Sequence, residues 1–315
     1  MNQRFVPRGT IQYYHAVRSV KQYVVNSIIN AKVIFFCNLF SKRKKCCIIE
    51  IDVKTFYNGE ITMGKIIAVS NQKGGVGKST TVVNLAAVLG HRGKKVLIID
   101  FDPQGNTTTS YGIKKKSIRN TVYDVLMGEC GIFEAVVATE FRGVSVVPTN
   151  QHLSGAAVEL VSMQNRARQL RERLSPAKDF YDYILIDCPP TLDMLTINAL
   201  VAADSVLIPI QCEFLSLEGL VELNSTIERA RSTWNKDLKI EGILFTMYVE
   251  RYKVTGQIVA EVKRYFDKHV FKTVIPRNVA LSEAPSFGQP ALYYDPKSKG
   301  SKAYEDLAKE IDRKK

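Results

Sequence analysis

Asn71-Gln-Lys-Gly-Gly-Val-Gly-Lys-Ser-Thr80 is the stretch that decides the fold. An apolar run (66–69) leads into it and a helical pattern (80–92) leads out, the strand–loop–helix setting that a phosphate loop requires. Three glycines, Gly74, Gly75 and Gly77, let the backbone turn sharply, so that N–H groups from residues 74–77, Val76 included, converge on phosphate oxygens. The start of the helix adds the positive end of its dipole. Lys78 is placed to pair with β- and γ-phosphate oxygens and Ser79 to ligate Mg²⁺, with Thr80 as a further phosphate donor. One end departs from the common G-x-x-x-x-G-K-[ST] pattern. Gln72 stands where the first glycine belongs, and a second lysine, Lys73, follows it.

Working outward, further apolar runs cover 96–99, 144–147, 183–186, 206–210, 240–245 and 273–275. Most are continuous rather than alternating, as strands buried on both faces should be. Helical patterns fall between or after them at 164–174, 192–203, 217–234, 255–266 and 303–313. This alternation predicts an α/β fold: a doubly wound, mostly parallel sheet with helices on both faces. Right-handed crossovers then bring loops and ligands to the carboxyl ends of the strands.

Two acidic sites lie at such ends. Val96-Leu-Ile-Ile-Asp-Phe-Asp-Pro-Gln-Gly105 closes a strand with Asp100 and Asp102, two residues apart and so on one side of the chain. Tyr183-Ile-Leu-Ile-Asp-Cys-Pro-Pro190 closes another with Asp187, suited to a Mg²⁺-bound water. A lone carboxylate at a strand end is as often a cap or a loop acid; the phosphate loop is what points these to catalysis.

The 315 residues carry 44 Lys+Arg against 31 Asp+Glu and are 45% hydrophobic, which excludes a disordered chain, a collagen or a coiled-coil rod. No apolar run reaches the roughly 18 residues of a membrane span. The six cysteines show no C-x-x-C or zinc-ligand spacing and read as free thiols of a reducing, cytoplasmic compartment. Residues 1–62 differ from the rest. They hold 10 Lys+Arg and 3 Asp+Glu, and their apolar residues show neither helical nor strand period. Such an acid-poor, basic start can be a transit peptide or a basic arm that binds nucleic acid; we expect it instead to be disordered, or to be upstream sequence translated from a start assigned too early. Met63-Gly-Lys-Ile-Ile opens directly into the first core strand, and Gly59-Glu60 can be encoded as a purine-rich ribosome-binding run. The ATPase domain is accordingly expected over 63–315.

Lys73 before the glycines, the Asp100-Phe-Asp-Pro-Gln-Gly105 run and Ile186-Asp-Cys-Pro-Pro190 together resemble the ParA/Soj partition ATPases, whose Walker A box is deviant. The resemblance runs from Met63 to the C-terminus, takes in Thr196-Ile-Asn-Ala-Leu200, Ile208-Pro-Ile-Gln-Cys-Glu213 and Val274-Ile-Pro-Arg-Asn-Val-Ala-Leu-Ser-Glu-Ala-Pro285, and is strongest for the chromosomal, Soj-like branch. It implies ATP and Mg²⁺ as cofactors and a homodimer when ATP is bound. Lys73 would reach the partner's nucleotide. Asp102 would position the attacking water, Asp100 and Asp187 would surround the metal, and Pro276 and Asn278 would pack on and read the adenine. A guanine-type Asn-Lys-x-Asp is absent, since Asn235-Lys-Asp-Leu238 ends in Leu238. The resemblance further implies a slow, switch-type hydrolysis, a ParB-like centromere-binding partner and a place on the nucleoid.

The family divides between DNA-binding members and MinD-like, membrane-surface members. Here the C-terminal pattern (Ala303, Leu307, Ala308, Ile311) suits docking on a domain, while Glu305, Asp306, Glu310 and Asp312 would repel anionic lipid. Arg251, Lys253, Lys263, Arg264, Lys268 and Lys272 surround a late helix, with Arg277 beyond. Arg251 and Arg277 fall where the Soj pattern places DNA contacts, and Lys263 joins them as a candidate; Ala280 departs from that pattern. Non-sequence-specific binding to duplex phosphates is therefore expected. The alternatives are a MinD-like ATPase positioning division machinery, an iron-protein-type reductase, which needs paired cysteines that Cys130 and Cys188 do not supply, and a regulator that senses ATP without turnover.

Overall fold

In a computed structural model that describes residues 33–36, 48–51 and 63–313, nearly all the apolar runs become strands. The chain divides into two units, Met1–Ile61 and Thr62–Lys315. In the first, β1 (Val33–Phe36) pairs antiparallel with β2 (Ile48–Ile51), Val33 opposite Ile51. The sequence showed no strand period in this region; four-residue apolar runs are too short to display one. What else was expected of residues 1–62 lies outside the described residues.

The second unit runs β3 (Lys65–Val69), α1 (Lys78–His91), β4 (Val96–Asp100), α2 (Asn106–Ser110), α3 (Val122–Met127), β5 (Val137–Ala138), β6 (Val144–Val147), α4 (Leu153–Ser162), α5 (Gln169–Leu174) and β7 (Tyr183–Asp187). It continues with α6 (Met194–Ala202), β8 (Ser205–Gln211), α7 (Leu215–Thr233), β9 (Lys239–Thr246), α8 (Lys253–Phe266), α9 (Val279–Glu283), α10 (Ala291–Tyr294) and α11 (Lys299–Asp312). Seven strands form one sheet in the order β5-β6-β4-β7-β3-β8-β9, parallel except for the edge strand β5.

Successive residues of β3 enter opposite layers, because side chains alternate across a strand. Ile66 and Ala68 join the core under α3 to α8; Ile67 and Val69 join the core under α1 and α11. Both faces are dry, which is why these strands read as unbroken apolar runs. In α11, Tyr304, Leu307, Ala308 and Ile311 are buried to 1% exposure or less. The expected docking helix is thus present, with Tyr304 rather than Ala303 in the core.

Two expectations are corrected. Residues 273–275 form no strand. Isolated bridges flank the segment, Ile243 with Val270 and Tyr248 with Pro276, and Ile275 alone bonds on both sides: its N–H donates to Phe245 O at 2.8 Å and its O accepts the Tyr248 N–H at 2.9 Å. The Glu310 carboxylate of α11 takes the N–H groups of Lys272 and Thr273, so they cannot serve a ladder, and Pro276 has none to give. The helix expected over 164–174 begins only at Gln169, because Asn165 adopts a left-handed φ of 54°.

Candidate functional site

The sheet register assembles the acids before any side chain is considered. β7 pairs with β3 on one side and β4 on the other, so Asp187 stands opposite Val69 and opposite Asp100. Both carboxylates therefore emerge at the carboxyl edge, beside the loop that follows β3. Both are fully buried. Asp100 accepts the N–H and the hydroxyl of Thr108 at 2.7 and 2.6 Å, and Asp187 accepts the Thr107 hydroxyl at 2.7 Å. All these bonds go to Oδ2; the Oδ1 of each acid is buried with no hydrogen-bond partner. Burial pushes both carboxyls up, and the negative Asp187 pushes Asp100 further, while the hydroxyls of Thr107 and Ser79 pull Asp187 back.

Asn71, buried, anchors the phosphate loop. Its Nδ2 donates to Pro209 O at 2.7 Å and its Oδ1 accepts the Lys73 N–H at 2.9 Å. Gly75 (φ 74°) and Gly77 (φ 89°) hold left-handed backbone that a side chain would strain. A Cβ on Gly74 or Gly75 would meet nothing within 4 Å, so the loop is open above them. Lys78, 6% exposed, begins α1 and turns its ammonium back onto the carbonyl of Lys73 at 3.2 Å. Burial lowers its pKa, and the neighbouring Asp187 above all opposes that shift. Asp102, also 6% exposed, accepts the Gln104 N–H at 2.9 Å. Lys73 pairs with Glu213 at 2.5 Å. Both side chains are substantially exposed, and such a pair contributes only about 0–1 kcal/mol, so the lysine is readily released.

A cavity of about 230 Å³ opens beside the loop, lined among others by Gly77, Thr80, Thr246, Pro276, Asn278 and Tyr304. Asn278 Oδ1 is a second kind of orphan, buried and without a partner. The Tyr304 hydroxyl lies 3.2 Å from Thr81 Oγ1, which ties α11 to α1 behind the cavity.

The expected loop residues 73–80 and the three aspartates are thus brought to one edge of the sheet, with Pro276 and Asn278 beside them. The segment just before Arg251 is tied to the one that carries Arg277, since Tyr248 N–H donates to Ile275 O at 2.9 Å and Arg277 N–H to Tyr248 O at 3.5 Å. Both arginines are exposed. Arg277 also lines the cavity mouth, which the sequence did not suggest. Arg251 sits 5.6 Å from the centre of the Tyr252 ring. Lys263 is on the exposed side of α8, whose buried side is Thr255, Ile258 and Val262. It lies about 15 Å along the helix axis from Lys253.

Sequence reasoning missed Thr107, Thr108, Gln211, Glu213 and Thr246. The threonine pair was findable, since Asn106-Thr-Thr-Thr109 directly follows the Asp100–Gly105 run. Gln211 and Glu213 lie in the Ile208–Glu213 stretch without a residue pattern that gives them a role, and nothing local marks Thr246; they reach the loop from the end of β8, the residues just after it, and the end of β9.

A family model described as an AAA domain matches residues 64–240. The sporulation initiation inhibitor protein Soj of Bacillus subtilis is 51% identical over 249 residues, 79% of this chain and 98% of Soj. Among solved structures, cobyrinic acid a,c-diamide synthase from Mycobacterium smegmatis with bound ADP and magnesium is 35% identical with a TM-score of 0.71, over 80% of this chain and 95% of that one. The cell division ATPase MinD of Pyrococcus furiosus is 31% identical with a TM-score of 0.68, over 80% and 100% of the respective chains. With a deviant phosphate loop facing register-paired aspartates, and 51% identity to Soj over nearly the whole of that protein, the chain belongs to the ParA/Soj family of partition ATPases.

Proposed function

We propose that the protein is an ATP- and Mg²⁺-dependent switch that pairs into a homodimer on ATP, holds duplex DNA without sequence preference and drives partition of a chromosome or plasmid with a ParB-like partner. The observation that carries this reading is the pair of buried, unpartnered Oδ1 atoms on Asp100 and Asp187 beside a buried Lys78. Two buried acids with raised pKa values and free lone pairs are costly unless a cation completes them. They fit Mg²⁺, which takes one or two protein oxygens and keeps waters and phosphate oxygens for the rest.

Gly74 to Gly77 and the start of α1 cradle the phosphates. Lys78 offsets charge on the β- and γ-oxygens, and Thr80 adds a donor. Ser79, Asp187 and Asp100 would hold the metal, which would supply positive charge against the charge that develops on the phosphate oxygens. Asp102 orients the attacking water. Asn278 offers its free acceptor to the adenine amino group, with Pro276 against the ring. Lys73 leaves Glu213 to place its cation on the partner's nucleotide, adding electrostatic stabilisation in trans. Catalysis here is positioning and electrostatics, consistent with slow turnover.

Two observations favour DNA over a membrane surface. The apolar face of α11 is buried against its own domain and so is not offered to a lipid surface. Identity is also higher to Soj, at 51%, than to the P. furiosus MinD, at 31%. Arg251, Lys263 and Arg277 form the proposed DNA surface, which places the protein on the nucleoid in the cytoplasm. The test is binding to random-sequence duplex with ATP across a salt series. A steep fall in affinity with salt supports phosphate contacts; salt-independent binding, or ATP-dependent flotation with liposomes in place of DNA binding, refutes them.

A further inference from the structure

We propose that Gln211 and Thr246 are positioning residues of the phosphate loop, acting on its peptide planes through two loop carbonyls. They are cross-strand partners in the last register pair of β8 and β9. Gln211 Nε2 donates to Gly75 O at 3.0 Å, and Thr246 Oγ1 to Val76 O at 2.8 Å. Thr246 is 3% exposed, and its Oγ1 lies 3.2 Å from Ile210 O, so its one proton has its shorter path to the loop.

The consequence follows from peptide geometry. The backbone has no cis bonds among the described residues, and in a trans unit the C=O and the following N–H point in opposite directions. Pulling the Gly75 carbonyl toward Gln211 aims the Val76 N–H the other way. Pulling the Val76 carbonyl toward Thr246 does the same for the Gly77 N–H. Two loop carbonyls are thus held by side chains, leaving the Val76 and Gly77 amides to face an anion as a nest. Glycine backbone at 75 and 77 turns easily, so without these bonds the planes can rotate, and orienting them on binding would weaken affinity.

This inference rests on reading residues 74–79 as the phosphate cradle, and Lys78→Ala tests that reading separately. The experiment measures ATP affinity with Mg²⁺, steady-state KM and kcat, and melting of the nucleotide-free full chain, for Thr246→Val, Thr246→Ser and Gln211→Ala. Thr246→Val should weaken ATP binding about tenfold, the size of one lost hydrogen bond in an aimed anion site. KM should rise while kcat holds, because the amides contact ground state and transition state alike. Thr246→Ser should restore affinity, and Gln211→Ala, at a half-buried position, should weaken it in the same sense. Wild-type affinity in Thr246→Val, or no rescue by serine, overturns the proposal. If Thr246→Val does not fold, Gln211→Ala decides: wild-type affinity there overturns it. Wild-type ATP affinity in Lys78→Ala would bring down the cradle itself; loss in Lys78→Ala alone would leave the cradle standing and remove only the role of Gln211 and Thr246.

Discussion

At the residue scale, the two buried aspartates have the clearest physical consequence. Their pKa values are raised in the folded chain, to about 8 for Asp100 and about 6 for Asp187, from 3.8. A carboxyl with a raised folded pKa stabilises the fold fully below its unfolded value, and that contribution is lost as pH rises through the folded value. The metal- and nucleotide-free protein should therefore be more resistant to urea at pH 6 than at pH 8, with Asp100→Asn flattening the difference. Urea midpoints in a chelating buffer check this. Asp102→Ala should bind ATP and lose turnover, because Asp102 touches water rather than phosphate in this account; ATP hydrolysis beside ATP affinity is the measurement. These residues were legible in sequence because each motif puts its acid at a strand end. Thr107 and Thr108, which hold the acids, were legible only as neighbours. Glu213 was not, because its partner Lys73 is 140 residues away.

At the element scale, the buried strands were read to within one or two residues, since a parallel strand covered on both faces has no polar positions to blur its ends. β5 escaped notice: two residues at an antiparallel edge carry no pattern. α4 escaped for another reason. It buries Leu153, Ala156 and Leu160 but exposes Val158 and Val161, so apolar residues on both faces hide its period. The strand expected at 273–275 failed at its start, where Glu310, far along the chain, takes the N–H groups of Lys272 and Thr273, and at its end, where Pro276 has no N–H. α11 binds that segment through Glu310 and the cavity wall through Tyr304. Leu307→Ala, at a position with 0% exposure, should cost about 2–5 kcal/mol of stability and loosen the cavity, so that ATP protects the variant less than the wild type in thermal melts.

At the scale of the whole molecule, the sheet order places β3, β7 and β4 side by side, and that adjacency brings the loop and its acids together. The strand–helix alternation foretold the architecture but not the order β5-β6-β4-β7-β3-β8-β9, which depends on crossovers with no local signal. The DNA surface belongs to this scale too. Arg251→Glu should leave ATP-driven dimerisation intact and lower affinity for random duplex DNA, as read by electrophoretic shift at fixed salt; unchanged affinity would remove Arg251 from that surface.

The central claim is that two nucleotide-loaded copies close on each other, each lending Lys73 to its neighbour. Sedimentation velocity of Asp102→Ala with saturating ATP and Mg²⁺ tests it most directly. The account predicts a dimer that reverts to monomer with ADP, and a monomer in both states when Lys73→Ala is added. A monomer with ATP, or a dimer untouched by Lys73→Ala, would contradict it.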